Sequence, residues 1–202
     1  MVHIDNMAHV LANGLVHWGS PKASQSYRPI GDGTLINARK TRSVPVEGHT
    51  GTINLCEYIP FYFGVRMPML YVIQHGYNFV SQPIKADDIV YCVVRISTLK
   101  QMGVPFYFSD GHAFDYMTRF YSQEHIDQVS QLVDAHAVWS NYWVDKSNLD
   151  IKRRKQAELL VKGEVPGQAI AGFVVYNERA KSILANLGCE ATVVKVRPDY
   201  YF

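Results

Sequence analysis

Between residues 57 and 71 the chain reads Glu57-Tyr58-Ile59-Pro60-Phe61-Tyr62-Phe63-Gly64-Val65-Arg66-Met67-Pro68-Met69-Leu70-Tyr71. Its first part, residues 59–63, is rich in aromatic and β-branched side chains and predicts a buried β-strand. Pro68 then occupies a position typical of the first turn of a helix, and Gly76 is a typical helix end. The block therefore predicts a strand followed directly by a short helix.

Strand and helix patterns alternate on both sides of this block. Further strands are predicted at residues 89–96, 105–108, 157–161, 170–176 and 191–196. Further helices are predicted at residues 126–139 and 178–187, and a short one follows the capping residues Asp5 or Asn6 and ends at Gly14. The polar segments 18–49 and 144–155 are predicted to be functional loops. Because no repeat or linker interrupts the pattern, it indicates a single α+β domain over residues 1–202.

The composition is that of an ordinary globular protein. The 202 residues are 48% hydrophobic and 19% charged, which excludes a wholly disordered chain. The formal net charge is only +2, so any surface for an anionic partner must be a local basic patch. The 13 tyrosines suit stacking on nucleic-acid bases and packing in a β-rich core equally well.

The cysteines and the apolar runs indicate where the protein works. Cys56, Cys92 and Cys189 are scattered without CxxC spacing, which argues against a structural zinc site or a disulfide framework. The first residues carry neither a charged nor an apolar signal region, so we expect no secretory signal. No apolar run approaches the ~20 residues that span a bilayer. We therefore expect a cytoplasmic protein without a membrane partner.

The common nucleotide and hydrolase motifs are absent from the sequence. No GxGxxG follows a predicted strand, so a Rossmann dinucleotide site is unsupported. No GxxxxGK[ST], HExxH or GxSxG occurs, which argues against P-loop nucleotidases, zinc proteases and α/β-hydrolases. A dinucleotide, if used, is bound in some other way.

Four segments together resemble one known family. Residues 57–71 are similar to the (D/E)YVPFYFxPRSPMLY motif of the DarT family, the NAD⁺-dependent DNA ADP-ribosyltransferase toxins of bacterial toxin–antitoxin pairs. Three further segments agree in order and spacing: His3-Ile4-Asp5-Asn6-Met7 resembles the family's HIDNL, Phe108-Ser109-Asp110-Gly111-His112 its FTDxH, and Lys155-Gln156-Ala157-Glu158-Leu159-Leu160-Val161 its KQAEFLV. The resemblance covers nearly the whole chain. In the family a Tyr-His-Ile-Thr segment precedes HIDN, whereas here the sequence starts at Met1, so that segment is either missing or lies upstream.

The resemblance implies an ADP-ribosyltransferase-like α+β fold, with two small packed β-sheets, surrounding helices and a central NAD⁺ cleft. It implies NAD⁺ as a substrate and catalysis without a metal. The expected acceptor is a base of single-stranded DNA, with thymine the commoner target in the family and guanine the target of some branches. The implied protein partner is a cognate antitoxin with a de-ADP-ribosylating domain.

The resemblance also singles out Glu158 and Arg39 as catalytic residues. Glu158 corresponds to the glutamate of the family's KQAEFLV motif, and a fixed carboxylate at a strand start can stabilise a cationic ribose and accept a proton. In a strand it points away from Ala157, Leu159 and Val161, whose face can pack. Arg39 lies five positions before Val44, the family's spacing for its essential arginine, although Arg42 is near enough to be the alternative.

Further residues are predicted to bind NAD⁺ or DNA. The NAD⁺ residues implied by the resemblance are His3, Asp5, Asn6, Arg39 and Tyr71. The predicted nucleic-acid contacts are His112, the aromatic residues Tyr142 and Trp143, and the basic run Lys152, Arg153, Arg154 and Lys155. The basic run suits phosphates and the aromatics suit stacking on bases. Structural roles remain as alternatives. His3 could cap a helix or pack in the core, the aromatic residues could pack in the core, and the cations could form an ordinary solvated surface.

Two other functions are compatible with the sequence. One is a transferase of the same fold that modifies RNA or protein, which would share the NAD⁺ residues and differ in the segment 144–155. The other is a catalytically inactive nucleic-acid-binding module. The basic run favours nucleic acid over protein, and the presence of both Glu158 and Arg39 favours an active enzyme.

Overall fold

The structure is a computed structural model, and it describes residues 1–77, 80 and 82–202. The strands are β1 (Val2–His3), β2 (Ser43–Pro45), β3 (Thr52–Asn54), β4 (Tyr58–Tyr62), β5 (Ile89–Val94), β6 (Phe106–Ser109), β7 (Phe120–Ser122), β8 (Glu158–Lys162), β9 (Ile170–Val175) and β10 (Val194–Val196). The α-helices are α1 (Met7–Asn13), α2 (Gly33–Arg39), α3 (Pro68–His75), α4 (Ile96–Gln101), α5 (Val129–Leu132), α6 (Ala135–Trp139), α7 (Ile151–Lys155) and α8 (Glu178–Asn186). Short 3₁₀ turns connect several of them.

Two four-stranded sheets organise these elements. The first has the order β1-β5-β9-β10 and the second the order β4-β8-β6-β7, while β2 and β3 form a separate hairpin. Neighbouring strands are antiparallel except for the parallel pair β9 and β10. One core cluster contains side chains of both sheets, including Phe173 of the first and Phe108 of the second. The predicted α+β fold with two small packed sheets is therefore confirmed.

Strand β8 is the centre of the second sheet, between β4 and β6. Leu159 and Val161 belong to the core shared by the two sheets, as predicted from alternation along the strand. Leu160 points the other way, into a second cluster with Leu55 and Phe120, so both faces of β8 are buried. A strand that is buried on both faces and paired on both edges is a rigid support for its first residue, Glu158.

Three predicted segments differ from the structure, and in two of them a short polar side chain caps a helix. The predicted helix 126–139 is divided into a 3₁₀ turn, α5 and α6, since the Asp134 carboxylate accepts the Ala137 N–H and starts a new helix. The predicted loop 18–49 contains α2, whose first turn is capped by Asp32. The predicted loop 144–155 ends in α7. None of the helices in the described ranges is long and apolar enough to cross a membrane.

Gly14 joins the end of α1 to the segment that follows β8. Its N–H donates to the Val10 carbonyl, and next to it Leu15 and Val165 exchange two backbone hydrogen bonds of 2.9 and 2.8 Å. Its φ is +78°, and a Cβ at this position would lie 2.2 Å from the Val165 carbonyl oxygen. Only glycine allows this close approach of two backbone segments.

We predict that Gly14→Ala lowers the free energy of unfolding by more than Gly48→Ala does. Gly48 has nearly the same φ, +75°, but no atom of the described residues lies within 4 Å of its added Cβ. Gly48→Ala should therefore cost only the backbone strain of ~1–2 kcal/mol, while Gly14→Ala adds a steric clash. Urea unfolding of both variants, followed by circular dichroism, checks this. Equal losses would contradict the close approach at Gly14.

Candidate active site

Glu158 begins β8 with its side chain buried inside the protein. Across the ladder it pairs with Tyr62 of β4, and on the other side the Ser109 hydroxyl at the end of β6 accepts the Glu158 N–H at 3.1 Å. The same hydroxyl donates to the Gly111 carbonyl at 2.7 Å. The backbone of Glu158 is thus fixed from both neighbouring strands.

Both carboxylate oxygens of Glu158 have a hydrogen-bond donor. Arg39 Nη1 lies 3.0 Å from Oε2, and the backbone N–H of Ala113 donates to Oε1 at 3.0 Å. Arg39 is the last residue of α2 and its side chain is mostly buried. A buried carboxylate is costly unless it is paired and hydrogen-bonded, and these two donors provide both. They hold the carboxylate in a single orientation.

Arg39 retains a capacity to bind a further group. Its second guanidinium nitrogen, Nη2, is buried and has no hydrogen-bond partner among the described residues. A buried guanidinium N–H without an acceptor is unfavourable, so a ligand with an oxygen or ring-nitrogen acceptor would stabilise it. The prediction that Arg39 faces a substrate is consistent with this geometry.

Arg42, the alternative to Arg39, lies elsewhere. Its guanidinium stacks on Tyr116 with 4.1 Å to the ring centroid, and it lies 5.4 Å from the centroid of Phe114. The structure thus pairs Arg39 with Glu158 and pairs Arg42 with the aromatic residues of the segment between β6 and β7.

Two neutral groups lie near the buried pair. Burial lowers the pKa of His112 despite the opposing effect of the Glu158 charge, so the imidazole is neutral at physiological pH. Burial and the negative charge of Glu158 raise the pKa of Tyr62, so its phenol stays protonated. The Nδ1 atom of His112 accepts the Phe114 N–H at 3.2 Å. A carboxylate with these neighbours can stabilise a developing positive charge and accept a proton.

The predicted NAD⁺ residues of the N-terminal motif order the start of α1. His3 is buried, and its Nδ1 accepts the Asp5 N–H at 3.1 Å, while Nε2 has no partner among the described residues. Burial lowers the pKa of His3. Asn6 is buried and makes two hydrogen bonds to the backbone of Arg28, and Asp5 is exposed in an ion pair with the Arg28 side chain. The motif therefore also has a structural role in fixing residue 28.

Tyr71 and Trp143, predicted for NAD⁺ and DNA respectively, belong to one aromatic cluster. Their ring centroids are 5.9 Å apart, and Tyr71 also stacks on His75 at 4.1 Å and contacts Phe202 edge-on. Tyr142 lies next to this cluster in the chain and is 82% exposed, so its ring is free to stack on a base.

The four cations of the basic run, predicted to contact DNA, differ in exposure and in their partners. Lys152 is exposed. Arg153 forms ion pairs with Asp110 and Asp150, and Arg154 forms ion pairs with Asp134 and Asp150. Lys155 is buried and donates to the carbonyls of Val65, Val138 and Ser140. The reason is that residues 151–155 form a helix that turns these side chains inward, towards acceptors far away in the sequence.

Sequence reasoning did not assign Ser109, Tyr62 or the Ala113 N–H to the site. Ser109 and Tyr62 both lie within the motifs of the family resemblance, Tyr62 in the predicted strand 59–63 and Ser109 one position before Asp110. The antiparallel pairing of the two motif strands with β8 is the signal that brings them to Glu158. Ala113 acts through its backbone N–H, so its residue type does not indicate this role.

Within residues 1–77, 80 and 82–202, no group of three or more His, Cys, Asp or Glu side chains is placed to hold a metal ion.

Comparison with known proteins gives consistent matches over the full chain. A family model described as "ssDNA thymidine ADP-ribosyltransferase, DarT" matches residues 1–202. A DNA ADP-ribosyl transferase of Thermus sp. (strain 2.9) is 32% identical over 212 residues, covering 100% of this chain and 94% of the relative. The structure of Thermus sp. 2.9 DarT in complex with ADP-ribosylated ssDNA superposes with a TM-score of 0.81 at 30% identity, covering 100% of this chain and 93% of that one. The complex of the same protein with NAD⁺ gives 0.76 at 30% identity, with 100% and 94% covered.

We predict that the contribution of Lys155 to stability increases with pH. Burial lowers the pKa of Lys155 to about 8, with a further contribution from the positive charge of Arg66, whereas the unfolded chain has the ordinary value of 10.5. Between these values the unfolded state binds more protons than the folded state, so stability rises with pH, by at most ~1.4 kcal/mol per pH unit.

The measurement is the free energy of unfolding of wild type and Lys155→Met from pH 7 to 9.5. Subtracting the variant removes the titration of tyrosines and cysteines. The difference should move in favour of the wild type above pH ~8. A difference that stays flat would mean that Lys155 keeps its ordinary pKa in the fold.

Proposed function

The chain belongs to the DarT family of single-stranded DNA thymidine ADP-ribosyltransferases, and from this premise we propose that it modifies thymine and serves as the toxin of a toxin–antitoxin pair. As a member of that family it is an NAD⁺-dependent DNA ADP-ribosyltransferase. The observation that best supports transferase chemistry in this chain is the buried Glu158 carboxylate held by Arg39 and the Ala113 N–H.

Glu158 is proposed to act on the ribose and on the acceptor base. Transfer breaks the bond between the ribose carbon and the nicotinamide nitrogen, and the bonding electrons leave with neutral nicotinamide. Positive charge then develops on the ribose carbon and ring oxygen, where a fixed carboxylate stabilises it. A new bond forms between that carbon and a nitrogen of the base, and Glu158 accepts the proton that this nitrogen loses.

Arg39 is proposed to hold both Glu158 and a substrate. Its Nη1 is engaged with the carboxylate, while the buried Nη2 lacks a partner among the described residues. An oxygen of the NAD⁺ diphosphate or an acceptor atom of the base would satisfy Nη2. Neutral His112 adds no competing positive charge to the site where positive charge develops.

Thymine in single-stranded DNA is the proposed acceptor. The family description names thymidine, and the complex of Thermus sp. 2.9 DarT contains ADP-ribosylated ssDNA. A paired and stacked base must first be extruded, which costs a few kcal/mol, and an unpaired base avoids most of that cost. Exposed Lys152 is the proposed phosphate contact and exposed Tyr142 the proposed stacking platform.

The toxin role carries two further proposals. The partner is an antitoxin with a de-ADP-ribosylating domain that reverses the modification, and the site of action is the cytoplasm, where the chromosome and NAD⁺ are accessible. The support is the family resemblance of the four sequence motifs. Of the other functions, an inactive binding module is disfavoured because a buried carboxylate and its guanidinium partner are both retained.

We predict that oligonucleotides with a single unpaired thymine are labelled from radiolabelled NAD⁺, and that duplexes of the same sequence are labelled far less.

Glu158→Gln keeps the side-chain volume but cannot accept a proton, so its rate should fall by about 10²–10⁴. Glu190→Gln makes the same change at an exposed position and serves as the control. Circular dichroism and NAD⁺ titration of each variant show that the fold and substrate binding persist.

The acceptor panel separates the alternatives. Thymine-free single strands, guanine-only strands, RNA of matched sequence and bystander protein are incubated under the same conditions. Labelling of the guanine-only strand in place of the thymine strand would reassign the base. Labelling only of RNA or protein would overturn the proposal that DNA is the acceptor.

A further inference from the structure

We propose that Arg153 is a positioning residue for Glu158. It lies in the basic run whose sequence suggests DNA contacts, yet its side chain is 10% exposed and faces the segment between β6 and β7. That segment carries Ala113, whose N–H donates to Glu158 Oε1. Arg153 therefore acts on the carboxylate through the backbone of residues 110–119.

Arg153 is itself held rigidly by Asp150. Its Nε donates to Asp150 Oδ1 at 2.7 Å and its Nη2 to Asp150 Oδ2 at 2.9 Å, which is a two-point contact that fixes the plane of the guanidinium. Because both residues lie at α7, the guanidinium is anchored to the helix that leads directly into β8. Arg153 is thus part of the rigid support of Glu158.

From this position Arg153 binds both ends of the segment. Its Nη1 donates to Asp110 Oδ1 at 2.7 Å, and the same carboxylate oxygen accepts the Arg119 N–H at 3.0 Å. Nη1 also lies 3.3 Å from the Thr118 hydroxyl. The guanidinium group of Arg153 therefore binds Asp110 at the start of the segment and Thr118 near its end.

The backbone next to Ala113 is fixed by the same residue. The His112 N–H donates to the Arg153 carbonyl at 2.9 Å, and the Thr118 hydroxyl donates to the His112 carbonyl at 2.8 Å. At Gly111 a Cβ would lie 2.4 Å from Arg153 Nη1, so the segment passes directly over the guanidinium. With the peptides on both sides of His112 fixed, the Ala113 N–H is aimed at the Glu158 carboxylate.

The test compares Arg153→Lys with Arg197→Lys. Lysine keeps the positive charge but cannot form the forked contacts. Arg197 makes the same kind of fork to Asp199, at 2.9 and 2.7 Å, on the exposed surface. Arg153→Lys should lower kcat for DNA modification by roughly 10- to 100-fold at unchanged KM for DNA, since a small misplacement of a reacting group has an effect of that size. Arg197→Lys should change neither.

A second variant keeps the inference testable if Arg153→Lys fails to fold. Asp110→Asn removes the charged acceptor on the other side of the contact and should give the same loss of kcat at unchanged KM for DNA. A rise in KM for DNA at unchanged kcat, in either variant, would instead make Arg153 a DNA contact and overturn the inference.

Amide hydrogen exchange provides a readout that needs no activity. The kinetic part rests on the proposed function, but the exchange rate of the Ala113 N–H, followed by NMR, does not. Loss of its alignment with Glu158 should accelerate exchange by about tenfold in Arg153→Lys and Asp110→Asn. Unchanged exchange would overturn the positioning role, whereas a wild type that fails to modify DNA would remove only the proposed function.

Discussion

The ion pair between Arg39 and Glu158 is the constraint around which the site is built. A carboxylate this deeply buried would be strongly unfavourable alone, and the positive charge of Arg39 together with the Ala113 N–H offsets that cost. The two partners come from α2 and from the segment after β6, which are far from β8 in the sequence. The chain must therefore be fully folded before the carboxylate is stabilised, so the site is a product of tertiary structure.

The sheet and the segments outside it have different roles in holding Glu158. Strand β8 is buried on both faces and fixes the backbone of Glu158, with Ser109 of β6 bonded to its N–H. The groups that bind its carboxylate, Arg39 and the Ala113 N–H, lie outside the sheet, on α2 and on residues 110–119. Arg39 keeps one unpartnered buried nitrogen among the described residues, which is an energetic cost that a substrate can relieve.

The longer strands were predictable from sequence because their patterns are local, whereas β1, β2, β3 and β7, of two or three residues each, were not predicted. Residues 59–63, 105–108, 157–161 and 170–176 all correspond to strands within one or two positions, and the motif around Glu158 makes this residue the catalytic candidate. The helix starts at Asp32 and Asp134 were not predicted, because in each case a single capping side chain, and not the hydrophobic periodicity, determines where the helix begins. The partners of the basic run were not predictable for a different reason. Arg153 and Lys155 find acceptors at Asp110 and at the carbonyls of residues 65 and 138, and such distant pairings have no local signature.

The central claim is that Arg39 and Glu158 act as one unit, and a double-mutant cycle tests it most directly. Single-turnover rates of ADP-ribosyl transfer are measured for wild type, Arg39→Ala, Glu158→Gln and the double variant at saturating NAD⁺ and DNA. Residues that act as a unit are strongly non-additive, so the double variant should be no slower than the slower single variant. If the two losses instead multiply in full, Arg39 and Glu158 contribute independently, and the account of a coupled pair is wrong.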